Sequence, residues 1–117
     1  MALRLANITF DCADTIAQAE FWSAALGLAT KEGPSEFFVA LDGGPTGPTW
    51  FFVKVPEGKT AKNRMHIDLE SDDRVAETER LTTLGASHVA DKDEWGIQWT
   101  VLHDPEGNEF CVSGPHT

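Results

Sequence analysis

The 117-residue chain has no tyrosine, two cysteines, and only nine basic side chains against nineteen acidic ones. Cys12 and Cys111 are too few for the disulfide framework that a secreted chain this short usually carries. The shortage of Lys and Arg leaves a net charge of -10 and a pI near 4.6. Nucleic acid is excluded on that ground, because phosphate binding needs a basic face that releases counterions. Docking on an anionic membrane is excluded for the same reason. No apolar run approaches the ~18–20 residues that span a bilayer. The stretch Met1–Asp11 interrupts its apolar residues with Arg4, Asn7 and Asp11, which is not the pattern of a signal peptide. The expectation is a cytoplasmic protein with free thiols and no nucleic-acid or membrane partner. If the acidic balance points to any ligand it points to cations, although the same charge serves solubility. Hydrophobic residues make up 41% of the chain, enough for a packed core rather than a disordered acidic tail.

What is present is a repeat. Ile8-Thr9-Phe10-Asp11-Cys12-Ala13-Asp14 resembles Ile67-Asp68-Leu69-Glu70-Ser71-Asp72-Asp73, 59 positions on (67 − 8). At the same lag Ile16 falls on Val75, Ala17 on Ala76, Trp22 on Leu81 and Ala25 on Leu84. Gly44-Pro45-Thr46-Gly47-Pro48 falls on Asp104-Pro105-Glu106-Gly107-Asn108 at a lag of 60 (104 − 44). The chain therefore reads as one domain, 1–117, made of two copies of a single unit, about 1–58 and about 64–117. The polar stretch Glu57–Asn63 joins them.

Periodicity gives the content of each unit. Leu3 to Cys12 has the alternation of a strand. Asp14 is placed as an N-cap for a helix carrying Ile16, Ala19, Trp22, Ala25 and Leu26 at helical spacing, and Gly27 is placed to end it. Ala29–Lys31, Glu36–Leu41 and Trp50–Val55 read as short strands between turn residues. In the second unit His66–Glu70 reads as strand and Asp72–Leu84 as helix with Gly85 as its stop. Ser87–Ala90, Ile97–His103 and Glu109–Ser113 complete it as strands. The fold class is α+β: two tandem βαβββ modules forming an open, curled mixed sheet with one helix per module on the outside. One helix covers only one face of each small sheet, so the other face must curl around something. Two such units side by side make an incomplete barrel with a concave cleft.

These residues carry a resemblance. The Ile8–Asp14 segment, the helix with Phe21-Trp22 and Leu26-Gly27-Leu28, the run Asn63-Arg64-Met65-His66-Ile67-Asp68-Leu69 and the turn Asp104-Pro105-Glu106-Gly107-Asn108 followed by Glu109-Phe110-Cys111 together resemble the vicinal oxygen chelate superfamily. That group includes glyoxalase I, fosfomycin-resistance enzymes, extradiol dioxygenases and bleomycin-resistance proteins, and the nearest branch looks like the glyoxalase-like domains. The resemblance covers nearly the whole chain. It speaks to fold far more than to chemistry. It implies four symmetric positions at which His, Gln or Glu would hold a divalent ion, and here they fall on Asn7, Phe51, His66 and Cys111. A Phe cannot ligate, Asn is a poor ligand, and a thiolate suits softer ions than the Mg, Mn, Ni or Fe of the superfamily. Glu109, two residues before Cys111, lies on the same strand face one pleat away. A catalytic metal needs about three protein ligands and an open position, so the expectation is no metal and no other cofactor. The resemblance also implies a homodimer.

Strand alternation sorts the candidate residues. Asn7, Thr9, Asp11, Phe51, Val53, His66, Asp68, Glu70, Glu109, Cys111 and Ser113 should share the open face. Ile8, Phe10, Trp50, Phe52, Ile67, Leu69, Phe110 and Val112 should pack under the helices. Asp11 and Glu70 read as solvated rim charges, and Asp68 and Glu109 as deeper groups suited to ligand contact. Phe37, Phe38, Trp95 and Trp99 lie on middle strands of unassigned parity. One or two of them could wall a cleft and stack a flat or cationic ligand, Trp99 among them. His66 fits a hydrogen-bonded structural role as well as a functional one, and Cys111 a small buried hydrophobe as well as a nucleophile. Beside an imidazole, the thiol's pKa would be lowered.

Three functions follow. The first is a small-molecule-binding protein that encloses an organic, cationic or aromatic ligand with Asn7, Thr9, Phe51, His66, Asp68, Trp99, Glu109 and Cys111, without a catalytic metal. The second is a metal-dependent lyase or isomerase of the glyoxalase class using His66 and Glu109 as ligands or as base and acid. The third is a dimeric interaction module that binds no ligand.

Overall fold

The computed structural model describes residues 3–114. The chain divides into two compact units, residues 1–58 and 59–117. Unit 1 contains β1 (Asn7–Cys12), α1 (Thr15–Leu26), β2 (Phe38–Leu41) and β3 (Thr49–Lys54); unit 2 contains β4 (Ile67–Glu70), α2 (Arg74–Leu84), β5 (Ser87–Glu94), β6 (Ile97–His103) and β7 (Glu109–Ser113). The sheets run β1-β3-β2 and β4-β7-β6-β5. Each is mixed: β1 is parallel to β3 and β4 to β7, while the other neighbours are antiparallel. The fold is α+β, with two βαβββ-type modules and two open mixed sheets.

The two helices start by the same device. Asp14 accepts a hydrogen bond from the Ala17 N–H at 3.0 Å, and Asp73 accepts one from Ala76 at 3.1 Å. Each side chain satisfies a donor that the first turn leaves free. Gly27 ends α1 in the left-handed conformation at φ 70, a geometry that costs glycine nothing. Helix α2 begins at Arg74, with Asp73 as its cap rather than Asp72 as its first residue.

Residues of alternate parity on the strands do separate. In unit 1, Trp22 and Phe52 are buried, and Phe10 lies against Trp22, Trp50 and Phe52 at centroid distances of 5.3–5.7 Å. In unit 2, Leu81, Leu102, Phe110 and Val112 are buried. A polar chain also ties α2 to its sheet. Arg74 Nη1 donates to Thr100 Oγ1 at 2.7 Å, and Thr100 Oγ1 donates to Asp91 Oδ1 at 2.8 Å. His88 Nε2 stands 3.2 Å from the same carboxylate. The Thr100 hydroxyl and the His88 contact hold Asp91 below the ordinary aspartate value.

Most strand boundaries fall within two residues of the sequence reading, and three differ more. Strand β1 starts at Asn7, not Leu3, because Leu3 and Leu5 precede the β3 ladder and stay exposed. Ala29–Lys31 makes a single bridge, Thr30 to Leu41, rather than a strand. Gly33 follows at φ 84, and Pro34 has no N–H to extend a ladder. Strand β5 runs on to Glu94 instead of stopping at Ala90, because its register shifts between His88 and Ala90 and then continues along β6.

Candidate functional site

In unit 2 the open face of the sheet carries a groove of ≈ 420 Å³. Five of the sequence candidates line it: His66, Asp68, Trp99, Glu109 and Cys111. Lys62, Trp95, Ile97 and Val101 join them. Asn7, Thr9 and Phe51 stand on β1 and β3 of unit 1, where Thr9 is the register partner of Phe51. Phe51 packs edge-on against Phe38 at 5.0 Å. They are not among the groove's lining residues.

Register builds the centre of the groove. Strands β4 and β7 are parallel neighbours, and Asp68 lies opposite Cys111. His66, two residues before Asp68, shares its face, and His66 Nδ1 lies 3.0 Å from Asp68 Oδ1. One ligand atom from each of His66, Asp68 and Cys111 falls within 4.8 Å of the others. Burial raises the Cys111 thiol above its ordinary value, and the charge and hydrogen bonding of Asp68 raise it further. This reverses the expectation that a neighbouring imidazole would lower the thiol's pKa. The register partner of Cys111 is a carboxylate, and a thiol held protonated is a poor nucleophile.

Glu109 occupies a different setting one pleat along β7. Its side chain is 14% exposed. Oε2 accepts the Asn63 N–H at 2.9 Å, and Oε1 lies 4.0 Å from both Lys59 Nζ and His103 Nε2. Burial would raise its pKa, but the backbone hydrogen bonds and the lysine charges outweigh it, and Glu109 is held below the ordinary glutamate value. Asp68, by contrast, is 69% exposed. The reading that placed Asp68 as deep as Glu109 is corrected here: β4 is the edge strand of its sheet, so its side chains sit at a rim.

The four positions expected for a superfamily ion do not suit a hard divalent cation. Phe51 has no donor atom, Asn7 offers only a neutral amide, and the Cys111 sulfur suits softer ions; Glu109, outside the four, is already engaged by Asn63, Lys59 and His103. Among the described residues the group able to hold a metal is His66, Asp68 and Cys111. Sequence reasoning places Asp68 on the same face as the other two and assigns it to ligand contact, not to a metal set. The parallel β4–β7 register, which places it opposite Cys111, was the missing signal.

The groove's far wall is aromatic. Trp99 on β6 and Trp95 in the β5–β6 turn have near-parallel rings, 6.4 Å between centroids and 11° between planes. Trp95 was taken for a middle-strand residue. Gly96, just before Ile97, is the one local turn signal, and Trp beside it hides the turn.

Comparisons agree with this architecture. Residues 7–113 match the family model of the glyoxalase-like domain. Comparison with curated protein sequences gives no match. Among solved structures, a glyoxalase/bleomycin resistance protein/dioxygenase family enzyme from Burkholderia phytofirmans is 19% identical with a TM-score of 0.76, over 95% of this chain and 98% of that one. A possible glyoxalase from Bacillus cereus is 18% identical with a TM-score of 0.73, over 97% and 100%. A mutant of the fosfomycin resistance protein FosX from Listeria monocytogenes, complexed with Mn(II) and a dihydroxypropylphosphonic acid, is 13% identical with a TM-score of 0.80, over 99% and 93%. At these identities the likeness is one of fold.

Proposed function

Because this chain belongs to the glyoxalase-like domain family, we propose that it binds a small organic ligand on the open face of the 59–117 unit, without a catalytic metal. One observation carries the reading: a ≈ 420 Å³ groove lined by two tryptophans together with an imidazole, two carboxylates and a lysine. That volume lies in the range of small-molecule sites, and the mixture of apolar wall and few polar groups is typical of them. The ligand is aromatic or cationic, met by the indoles and by the exposed carboxylate of Asp68. His66 and Asp68 act as a hydrogen-bonding pair rather than as acid and base. The proposal includes a reducing compartment, in keeping with the free thiols of Cys12 and Cys111, and a homodimer, which sedimentation at micromolar concentration tests. No helix among the described residues is long and apolar enough to cross a membrane.

A second reading has its own support. The trio of His66, Asp68 and Cys111 within 4.8 Å favours a borderline ion such as zinc over the hard ions of the superfamily. This differs from the lyase or isomerase alternative that uses His66 and Glu109, since Glu109 stands apart with its own partners. Elemental analysis of protein purified without an affinity tag separates the readings. Stoichiometric tightly held zinc, nickel, manganese or iron defeats the metal-free proposal. Thermal-shift measurements over a panel of small aromatic and cationic compounds test the binding itself. A saturable rise is expected with at least one compound, abolished in Trp99→Ala. No rise with any compound leaves the interaction module standing.

A further inference from the structure

Strands β5 and β6 are joined by two residues, Trp95 and Gly96, between the paired Glu94 and Ile97. Both have positive φ, 54 for Trp95 and 77 for Gly96. Two-residue hairpin loops of this kind select Asn-Gly or Asp-Gly, because positive φ at the first position crowds the Cβ of a larger residue. Trp95 is the one non-glycine with positive φ among the described residues. Burial does not offset the strain, since Trp95 is 86% exposed. Its ring contact is with Trp99, near-parallel at 6.4 Å.

Folding alone therefore disfavours this residue twice. Its backbone is strained, and its large apolar side chain stands in water. Both penalties fall at a residue that lines the groove. Strained backbone persists at sites where the strained geometry places a group that is used.

We propose that Trp95 is a ligand-stacking residue that sets the groove's specificity. With Trp99 it forms a two-indole platform that takes the flat face of an aromatic cation. The indole faces attract positive charge, and the exposed carboxylate of Asp68 lies across the same groove. A turn with Asn in place of Trp95 would fold better and bind worse. This inference rests on the groove being a small-molecule site and adds the ligand's shape, its charge and the residue that reads them.

The test uses the full chain with ethidium as a planar aromatic cation and tetramethylammonium as a cation without a flat face. Binding of each cation is followed by isothermal titration calorimetry, a readout the Trp95 variants do not alter. Ethidium is expected to bind saturably, and tetramethylammonium not to bind. Trp95→Asn is expected to weaken ethidium about 5- to 30-fold, the range of an aromatic–cation contact, while raising the melting temperature by about 2–5 °C as the turn relaxes. Trp95→Phe is expected to recover most of the affinity. An unchanged affinity in Trp95→Asn overturns the inference, whatever its melting temperature. A lower melting temperature with unchanged affinity assigns Trp95 to packing on Trp99. If the wild type binds other compounds of the thermal-shift panel but not ethidium, this inference fails and the groove reading stands. If it binds none of them, both fail.

Discussion

The two modules share a plan and have spent it differently. In unit 1 the helix buries Phe21 and Trp22, and the sheet beneath supplies Phe10, Trp50 and Phe52. In unit 2 the corresponding helix buries Leu81 alone, and Leu102, Phe110 and Val112 complete the buried apolar set on the sheet. On the open faces the contrast reverses. Unit 1 presents Asn7, Thr9, Phe51 and Val53, whereas unit 2 presents His66, Asp68, Glu109 and Cys111 with two tryptophans beside them. A duplicated unit allows this division. One copy can keep a heavy aromatic core while the other accepts polar, strained and edge-exposed residues that weaken it.

Breaking each helix at its central contact tests that division most directly. Trp22→Ala should cost about 3–5 kcal/mol and leave the protein largely unfolded in moderate urea. Leu81→Ala, the equivalent position at a lag of 59 (81 − 22), should cost less, near the lower end of about 2–5 kcal/mol. Urea melts followed by circular dichroism compare the two. A larger loss at Leu81 would reverse the assignment of which module has the stronger core.

The caps give a smaller effect, expected to be equal. Asp14 and Asp73 make the same bond at 3.0 and 3.1 Å, so Asp14→Ala and Asp73→Ala should each cost about 1 kcal/mol. A difference above about 0.5 kcal/mol between them would show that the modules no longer share their helix starts energetically.

The smallest effect is on acid stability, and it belongs to unit 2. Glu109 and Asp91 are both held below their ordinary values in the folded protein. The native state therefore binds fewer protons than the unfolded chain as pH falls through the carboxylate range. Their stabilisation is present above the unfolded values, near about pH 4, and is lost as pH falls through the folded ones. Urea midpoints should drop on the acid side of that range. Glu109→Gln should shallow the drop and leave the contribution of Asp91. A slope unchanged by Glu109→Gln would remove Glu109 from the ionic account.

Much of the fold was readable because it is local. The Asp14 and Asp73 caps, the Gly27 stop and the alternation through Phe52 and Phe110 are properties of a few successive residues. Chain periodicity showed that the same unit occurs twice. The misplaced features are those set by neighbours in space. Ala29–Lys31 has the composition of a strand but forms a single bridge, Thr30 to Leu41. Asp68 was expected to lie deep because depth was inferred from its place along β4, whereas β4 being an edge strand decided its exposure. The Cys111 thiol was read from a nearby imidazole. Burial sets the direction of its shift, and the carboxylate of its register partner Asp68 adds to it.

The amino-acid order by itself determined the duplicated plan, the helix ends and which side of each strand turns apolar, since these depend on spacing along one chain. Tertiary structure alone decided that Asp68 faces Cys111, that Glu109 is claimed by Asn63 and Lys59, and that Trp95 lies parallel to Trp99. Such pairings follow from strand order, register and a two-residue turn, and those bring together side chains whose distance in sequence says nothing about their distance in space.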